Sequence, residues 1–126
     1  MNILNSKINI AIEEAKKSIH KQKIGCVIFN KKKIISKGYN TPSKSIKKLH
    51  PKYQRWPNSI HAEVAAIIKA KTDLKGCDIL VVRINNDDKF RLAKPCHNCM
   101  MYIEHVGIHK IYYSIDSYPY IKEEKV

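Results

Sequence analysis

Hydrophobic residues recur at every third or fourth position in three segments of the chain, a spacing that predicts helices with one buried face. The first segment, residues 3–20, carries lysine and glutamate side chains, Glu14 among them, on its opposite, polar face. The second covers residues 60–72, and Ser59 is placed to cap its first turn. The third covers residues 96–106 and ends before Gly107, a residue type that commonly terminates helices.

Shorter apolar segments rich in β-branched and aromatic residues predict β-strands. These segments are residues 24–29, 33–39, 78–84 and 110–114, with a short extension at 90–92. The first two are separated by three polar residues and predict a hairpin. A helix connects the last two long segments, so we expect the strands at 78–84 and 110–114 to be parallel.

These elements predict an α/β fold with three layers, α/β/α, around a mixed sheet of about five strands whose last two are parallel. A length of 126 residues suits one domain, so we assign residues 1–126 to it, with a flexible tail at about 116–126. No apolar run approaches the ~20 residues of a membrane span. The N-terminal segment also lacks the apolar core of a signal peptide, which favours a cytoplasmic location.

Two short motifs carry candidate chemistry, and each lies at the start of a predicted helix. His-Ala-Glu occupies residues 61–63, and Pro-Cys-His-Asn-Cys occupies residues 95–99. Imidazole and thiolate groups are ligands that zinc prefers, and three protein ligands leave the fourth tetrahedral position open, as in catalytic sites. The predicted ligands of a Zn²⁺ ion are His61, Cys96 and Cys99.

Glu63 lies two residues after the histidine, where the first helical turn can bring its carboxylate close to the metal without making it a ligand. A carboxylate in this position can take a proton from water at the open zinc position and return it to a substrate. Together the motifs form the H-x-E…P-C-x-x-C signature of zinc nucleobase deaminases. The predicted catalytic residue is Glu63.

A structural zinc site is the alternative interpretation of the same cluster. Such a site needs four ligands, and the sequence offers no fourth ligand at a typical spacing. The remaining candidates are Cys26, Cys77 and His97. A second metal site could use His50, although a lone histidine in a loop is ordinarily only exposed.

The net charge of +13, from 24 basic and 11 acidic residues, suits a polyanionic partner such as a nucleotide or nucleic acid. Only three of the basic residues are arginine, and the lysine-rich composition is equally typical of an AT-rich genome. Basic residues concentrate at 41–59, where Tyr53 and Trp56 interleave with them, so this loop could bind a polyanion at the mouth of the site. Arg91 and Lys94 are further candidate phosphate contacts.

Over residues 3–114 the motifs and the order of elements resemble the cytidine/deoxycytidylate deaminase superfamily. The resemblance implies a cytidine-deaminase-like fold and a zinc-dependent hydrolase that converts cytosine to uracil, in a nucleotide of the dCMP/CMP type or in single-stranded nucleic acid. It also implies that Asn40 contacts the substrate and that the backbone of Ala62 and Pro95 lines the pocket. Relatives often associate, and the apolar outer helix face would permit a homo-oligomer.

Two alternatives stay open within this resemblance. Deoxycytidylate deaminases usually carry Asn where this chain has Ala65, and a glycine-rich motif where Thr41 follows the candidate substrate asparagine. Adenosine-to-inosine deamination of tRNA or other RNA uses the same metal chemistry and differs in the shape of the pocket. A catalytically silent zinc-binding module of the same fold is the second alternative, and the intact Glu63 argues against it.

Overall fold

The computed structural model describes residues 2–19, 22–31, 33–40 and 61–126. Within these residues the chain forms three helices and six strands. In chain order they are α1 (Asn2–Lys16), β1 (Lys23–Phe29), β2 (Ile34–Tyr39), α2 (Ala62–Ala70), β3 (Asp78–Ile84), β4 (Phe90–Arg91), α3 (His97–His105), β5 (Lys110–Ser114) and β6 (Ile121–Lys125). None of the described helices is long and apolar enough to cross a membrane.

The strands form one mixed sheet in the order β2-β1-β3-β5-β6, with β4 paired to the end of β3. β1 is antiparallel to both β2 and β3, which confirms the predicted hairpin. β3 and β5 are parallel, as the helical connection between them predicts. β5 pairs with β3 only as far as Val81, so the last residues of β3 are free to pair with β4.

Alternate side chains along the strands divide the core into two clusters, one on each face of the sheet. In β1, Cys26 and Ile28 pack with α2 and α3, whereas Val27 and Phe29 pack under α1. Helices therefore cover both faces, and the three-layer α/β/α arrangement is confirmed.

The predicted strand count and the flexible tail need correction. Residues 121–125, assigned to the tail, form β6, so the sheet has six strands and its last pair in chain order is antiparallel. β6 was missed because it is an edge strand that pairs through polar side chains and lacks apolar alternation. Glu123 meets the Lys110 ammonium at 3.0 Å, and Glu124 accepts a hydrogen bond from the Tyr113 hydroxyl.

Helix α1 is shorter than predicted and buries one charge assigned to its polar face. It ends at Lys16 because the chain turns there and the Ser18 hydroxyl donates to the carbonyl of Asn40 at 3.0 Å. The Glu14 side chain is buried, and its carboxylate lies 3.6 Å from the Lys37 ammonium on β2. The Lys17 ammonium, three residues along the chain, lies closer still, at 2.7 Å. The apolar pattern missed the burial of Glu14 because β2, against which it lies, is distant in sequence.

The ends of α2 and α3 follow local backbone chemistry. The first residue of α2 is Ala62, with His61 as N-cap, so the predicted start at residue 60 is two residues early. Ser59, the predicted cap, lies outside the described residues. α2 ends at a left-handed C-cap, Lys71. α3 ends as predicted, because Gly107 adopts a φ of +86° and its N–H bonds back to the last turn at 3.1 Å.

Helix α1 lies directly on β1 at Gly25. A Cβ atom at this position would collide with the carbonyl oxygen of Ala11 and lie 2.5 Å from the amide nitrogen of Ala15. Both alanines are fully buried. The distance between α1 and the sheet thus depends on the missing side chain at Gly25.

We expect Gly25→Ala to lower the free energy of unfolding by about 3 kcal/mol, because backbone atoms cannot move aside as a flexible side chain can. Gly76→Ala is the matched control. Gly76 has open space around it and a φ of +82°, so only backbone strain of about 1 kcal/mol is expected. Denaturant unfolding measures both values, and equal losses would contradict the close packing of α1 on β1.

Candidate metal centre

The N-terminal ends of α2 and α3 bring His61, Cys96 and Cys99 together. His61 and Cys96 are the N-cap residues of their helices, with extended backbone and no capping hydrogen bond from the side chain. Neither side chain is therefore used to cap its own helix, and the two lie next to each other. Cys99 lies in the first turn of α3 and is buried, whereas Cys96 is exposed, so the cluster has one buried and one exposed thiol.

The geometry of the cluster fits zinc. The three ligand atoms lie within 4.8 Å of one another, and His61 Nδ1 is 3.3 Å from Cys99 Sγ and 3.8 Å from Cys96 Sγ. Zinc bonds of ~2.3 Å to sulfur and ~2.0 Å to nitrogen, at a tetrahedral angle, separate such ligands by about 3.6 Å. The cluster does not include the candidate fourth ligands Cys26, Cys77 and His97.

The two thiols of the cluster differ in acidity in the metal-free protein. A hydrogen bond from the Cys99 thiol, assisted by the neighbouring His61, lowers the pKa of Cys96 to about 4 even though partial burial opposes this. The same hydrogen bond, together with burial, raises the pKa of Cys99 well above its ordinary value. The Cys99 thiol thus keeps its proton, and a metal that bound both sulfurs as thiolates would displace it.

Glu63 lies in the first turn of α2 and is only 4% exposed. Burial raises the pKa of its carboxyl group, and the nearby His61 partly offsets this effect. For His61, burial favours the neutral ring, but the hydrogen bond to Cys96 and the charge of Glu63 raise the pKa overall. The three ligands and this carboxyl group therefore form one electrostatically connected site.

Asn40, the predicted substrate contact, follows β2 and is 8% exposed. Its side-chain oxygen accepts a hydrogen bond from the N–H of Ile24 at 3.0 Å, and its side-chain amide donates to the carbonyl of Gln22 at 2.7 Å. The side chain therefore fastens the start of β1 to the end of β2. Each of its two polar groups retains capacity for one further hydrogen bond.

Ala62 and Pro95, whose backbone is predicted to line the pocket, are both buried next to a zinc-ligand position. Their contact with a substrate stays a prediction. The predicted polyanion-binding loop at 41–59, with its two aromatic residues and His50, lies outside the described residues.

Sequence reasoning singled out Arg91 and Lys94 but not Arg83, which lies on β3 directly opposite Arg91. Lys94 lies 3.6 Å from the carboxylate of Glu124, and Arg91 lies 3.7 Å from that of Asp116. The available signal for Arg83 was its residue type, since arginine is rare in a chain whose basic residues are otherwise lysine.

Comparison with known proteins adds a family match. A sequence model described as "Cytidine and deoxycytidylate deaminase zinc-binding region" matches residues 1–115. The chain is 35% identical over 95 residues to an uncharacterized deaminase in the luxG 3' region of Aliivibrio fischeri. That alignment covers 71% of this chain and 56% of the relative. The chain thus spans little more than half the length of that protein.

Two solved structures share the fold. The dCMP deaminase from the cyanophage S-TIM5, in apo form, has a TM-score of 0.69 at 20% identity, covering 93% of this chain and 86% of that chain. The cytidine deaminase from Burkholderia pseudomallei has a TM-score of 0.65 at 14% identity, covering 96% of this chain and 91% of that chain. At these identities the likeness shows the fold alone, and it agrees with the three layers described above.

We expect the purified protein to contain about one zinc ion per chain, since three ligands at these distances suffice for a catalytic zinc site. Cys99→Ser should lose the metal, whereas Cys77→Ser, a buried cysteine outside the cluster, should keep it. Metal content measured by mass spectrometry checks both, alongside circular dichroism of each variant. A folded wild-type protein that binds no zinc would overturn the assignment of the cluster.

Proposed function

The chain belongs to the cytidine and deoxycytidylate deaminase family, and from this premise we propose that it is a zinc-dependent hydrolase that deaminates a nucleobase. Cytosine to uracil in a nucleotide is the reaction that we favour. The observation that carries the proposal is the cluster of three zinc-compatible ligands with a buried carboxyl group next to it. A closed structural site would have no use for such a carboxyl group.

Zinc, when bound to His61, Cys96 and Cys99, supplies a Lewis acid that lowers the pKa of water from ~16 to ~7. Glu63 then acts as the proton carrier of the reaction. It accepts a proton from the water that attacks the amino-bearing carbon and transfers it to the neighbouring ring nitrogen. It then takes the remaining proton of the added hydroxyl group, which becomes the product carbonyl, and delivers it to the leaving amino group. One water is consumed and one ammonia is released.

The raised pKa of Glu63 supports this role. A carboxyl group works best as both acid and base when its pKa lies close to the working pH, and burial moves Glu63 in that direction. Its position in the first turn of α2 brings it close to the metal ligand His61 without making it a member of the cluster.

Substrate recognition is the finer part of the proposal. We assign the remaining hydrogen-bonding capacity of Asn40 to the sugar of the substrate, and we assign the backbone of Ala62 and Pro95 to the wall of the base pocket. Asn40 thus has two tasks, because its side chain also fastens β1 to β2. A cytosine nucleotide is favoured because the matching family model describes cytidine and deoxycytidylate deaminases.

A second candidate substrate is adenosine within RNA, converted to inosine by the same chemistry. The net charge of +13 is the observation that favours it, since a nucleic acid offers many phosphates to a basic surface. Assays of cytidine, CMP, dCMP, single-stranded DNA and a tRNA anticodon hairpin, performed side by side, separate the two. If only the hairpin is deaminated, adenosine in RNA replaces cytosine as the favoured substrate.

We expect Glu63→Gln to keep zinc and to reduce ammonia release by about 10²–10⁴-fold, because general acid–base catalysis contributes on that scale. Glu13→Gln, which changes an exposed carboxylate on α1, is the matched control and should keep full activity. Ammonia release and metal content are measured on the same preparations. Turnover that survives in Glu63→Gln would refute the proton-carrier role.

We expect Asn40→Ala to weaken both folding and substrate binding, because the side chain makes two internal hydrogen bonds. Loss of these bonds should lower the free energy of unfolding by about 1–3 kcal/mol. The substrate role predicts a raised KM in addition, measured at a temperature where the variant stays folded. An unchanged KM in folded Asn40→Ala would contradict the substrate role and show that this residue only stabilises the fold.

A further inference from the structure

Four residues form one row across the sheet, from Asn40 at the end of β2 to Arg91 on β4. The N–H of Asn40 donates to the carbonyl of Ile24 at 3.2 Å, continuing the β1–β2 ladder. Ile24 is the register partner of Arg83 on β3, and Arg83 is the partner of Arg91 on β4. Directly opposed residues project to the same face of a sheet, and Ile24 packs against the cluster under α2 and α3. Both arginines therefore belong to the face that carries the metal centre.

One buried hydroxyl group fixes the backbone of both arginines. Ser114, at the end of β5, accepts a hydrogen bond from the N–H of Arg83 at 2.9 Å and donates to the carbonyl of Arg91 at 2.6 Å. Ser114 is fully buried. It thus joins β3, β4 and β5 where the regular ladder between them ends, and it holds the backbones of the two arginines next to each other.

Two like charges on directly opposed strand positions repel each other. Within the described residues, the ion pair that balances them joins Arg91 to Asp116, at 3.7 Å between two half-exposed side chains. A groove of about 400 Å³ is lined by the two arginines and by Asp116, Asn85, Ile84 and the exposed Leu92. The groove combines an excess of positive charge, a polar amide and an apolar wall.

We propose that Arg83 and Arg91 together bind the phosphate of the substrate while its base occupies the metal centre. Guanidinium groups match the oxygens of a phosphate in a forked, two-bond geometry that lysine does not provide. Arg83 stands two strands from Asn40, which is about 10 Å along the sheet at ~4.8 Å per strand. The sugar–phosphate link of the substrate and the long arginine side chains can span this separation together. The inference rests on the proposed function, because it assigns one end of the same substrate.

The phosphate can come from two sources with the same chemistry, a free nucleoside monophosphate or an internal phosphate of a single strand. Three probes distinguish them: CMP, cytidine, and the trinucleotide TpCpT without a terminal phosphate. A phosphate site for free nucleotides acts on CMP alone. A site for a strand acts on TpCpT as well.

The first experiment compares the wild type with the double variant R83Q/R91Q. We expect the preference for CMP over cytidine, as a ratio of kcat/KM values, to fall about 10-fold or more, which is the scale of a lost charge-assisted contact. The control K75Q/K125Q removes the same amount of charge from exposed positions outside the groove and should leave the ratio unchanged. An R83Q/R91Q ratio equal to that of the control would overturn the inference.

The second experiment does not depend on activity. Titration with inorganic phosphate, followed by NMR chemical shifts, should show binding in the wild type, about 10-fold weaker binding in R83Q/R91Q and several-fold tighter binding in D116N. The tightening is expected because Asp116 competes with phosphate for Arg91. Phosphate binding that is unaffected by all three substitutions would contradict the site.

These readouts separate the inference from the proposed function. If phosphate binding follows the arginines but no substrate is deaminated, the deaminase proposal fails and the anion site stands. If both substrates are deaminated and R83Q/R91Q has the same kcat/KM as the wild type for each of them, the deaminase proposal stands and the phosphate assignment fails.

Discussion

The convergence of two helix ends on one point is the constraint on which the rest of the structure depends. His61 and Cys96 are N-cap residues, so a shift of either helix by a fraction of a turn would separate the metal-binding atoms. The sheet fixes the start of α2 by direct contact. A Cβ on Gly38 of β2 would lie 2.7 Å from the amide nitrogen of Ala66, and the Ser36 hydroxyl donates to the carbonyl of Ala66 at 2.7 Å. Backbone contact of this kind leaves α2 little freedom to slide.

The charges of the site, like its geometry, favour a bound cation. The site brings a buried carboxyl group and a buried thiol next to the exposed thiol of Cys96, and ionising several of them together without a cation would be costly. The hydrogen bond between Cys96 and Cys99 reduces this cost, because the raised pKa of Cys99 keeps its proton in place. A divalent cation removes the need for that proton and lets both sulfurs act as thiolates. The geometry and the charge balance of the site therefore both favour a divalent cation.

The sequence predicted the metal cluster well because each motif is local and lies on a helix start. It predicted the parallel pairing of β3 and β5 because the connection between them leaves few topologies. β6 escaped prediction because its stabilising contacts are polar and involve Lys110 and Tyr113 on another strand. The internal hydrogen bonds of Asn40 escaped for a related reason. Contacts between residues far apart in sequence leave no periodic pattern in a single chain.

Chemistry and substrate choice occupy different parts of this fold. The metal ligands and Glu63 lie on helix ends that the sheet holds rigidly, so changes there alter the reaction itself. Arg83 lies near the end of β3, and Arg91 lies on β4. The turn that connects these two strands can vary in length without moving α2. Ligands of open α/β sheets bind at the carboxyl ends of the strands, where loops are free to vary. A phosphate-reading pair at this position could therefore change the preferred substrate while leaving the hydrolytic machinery intact.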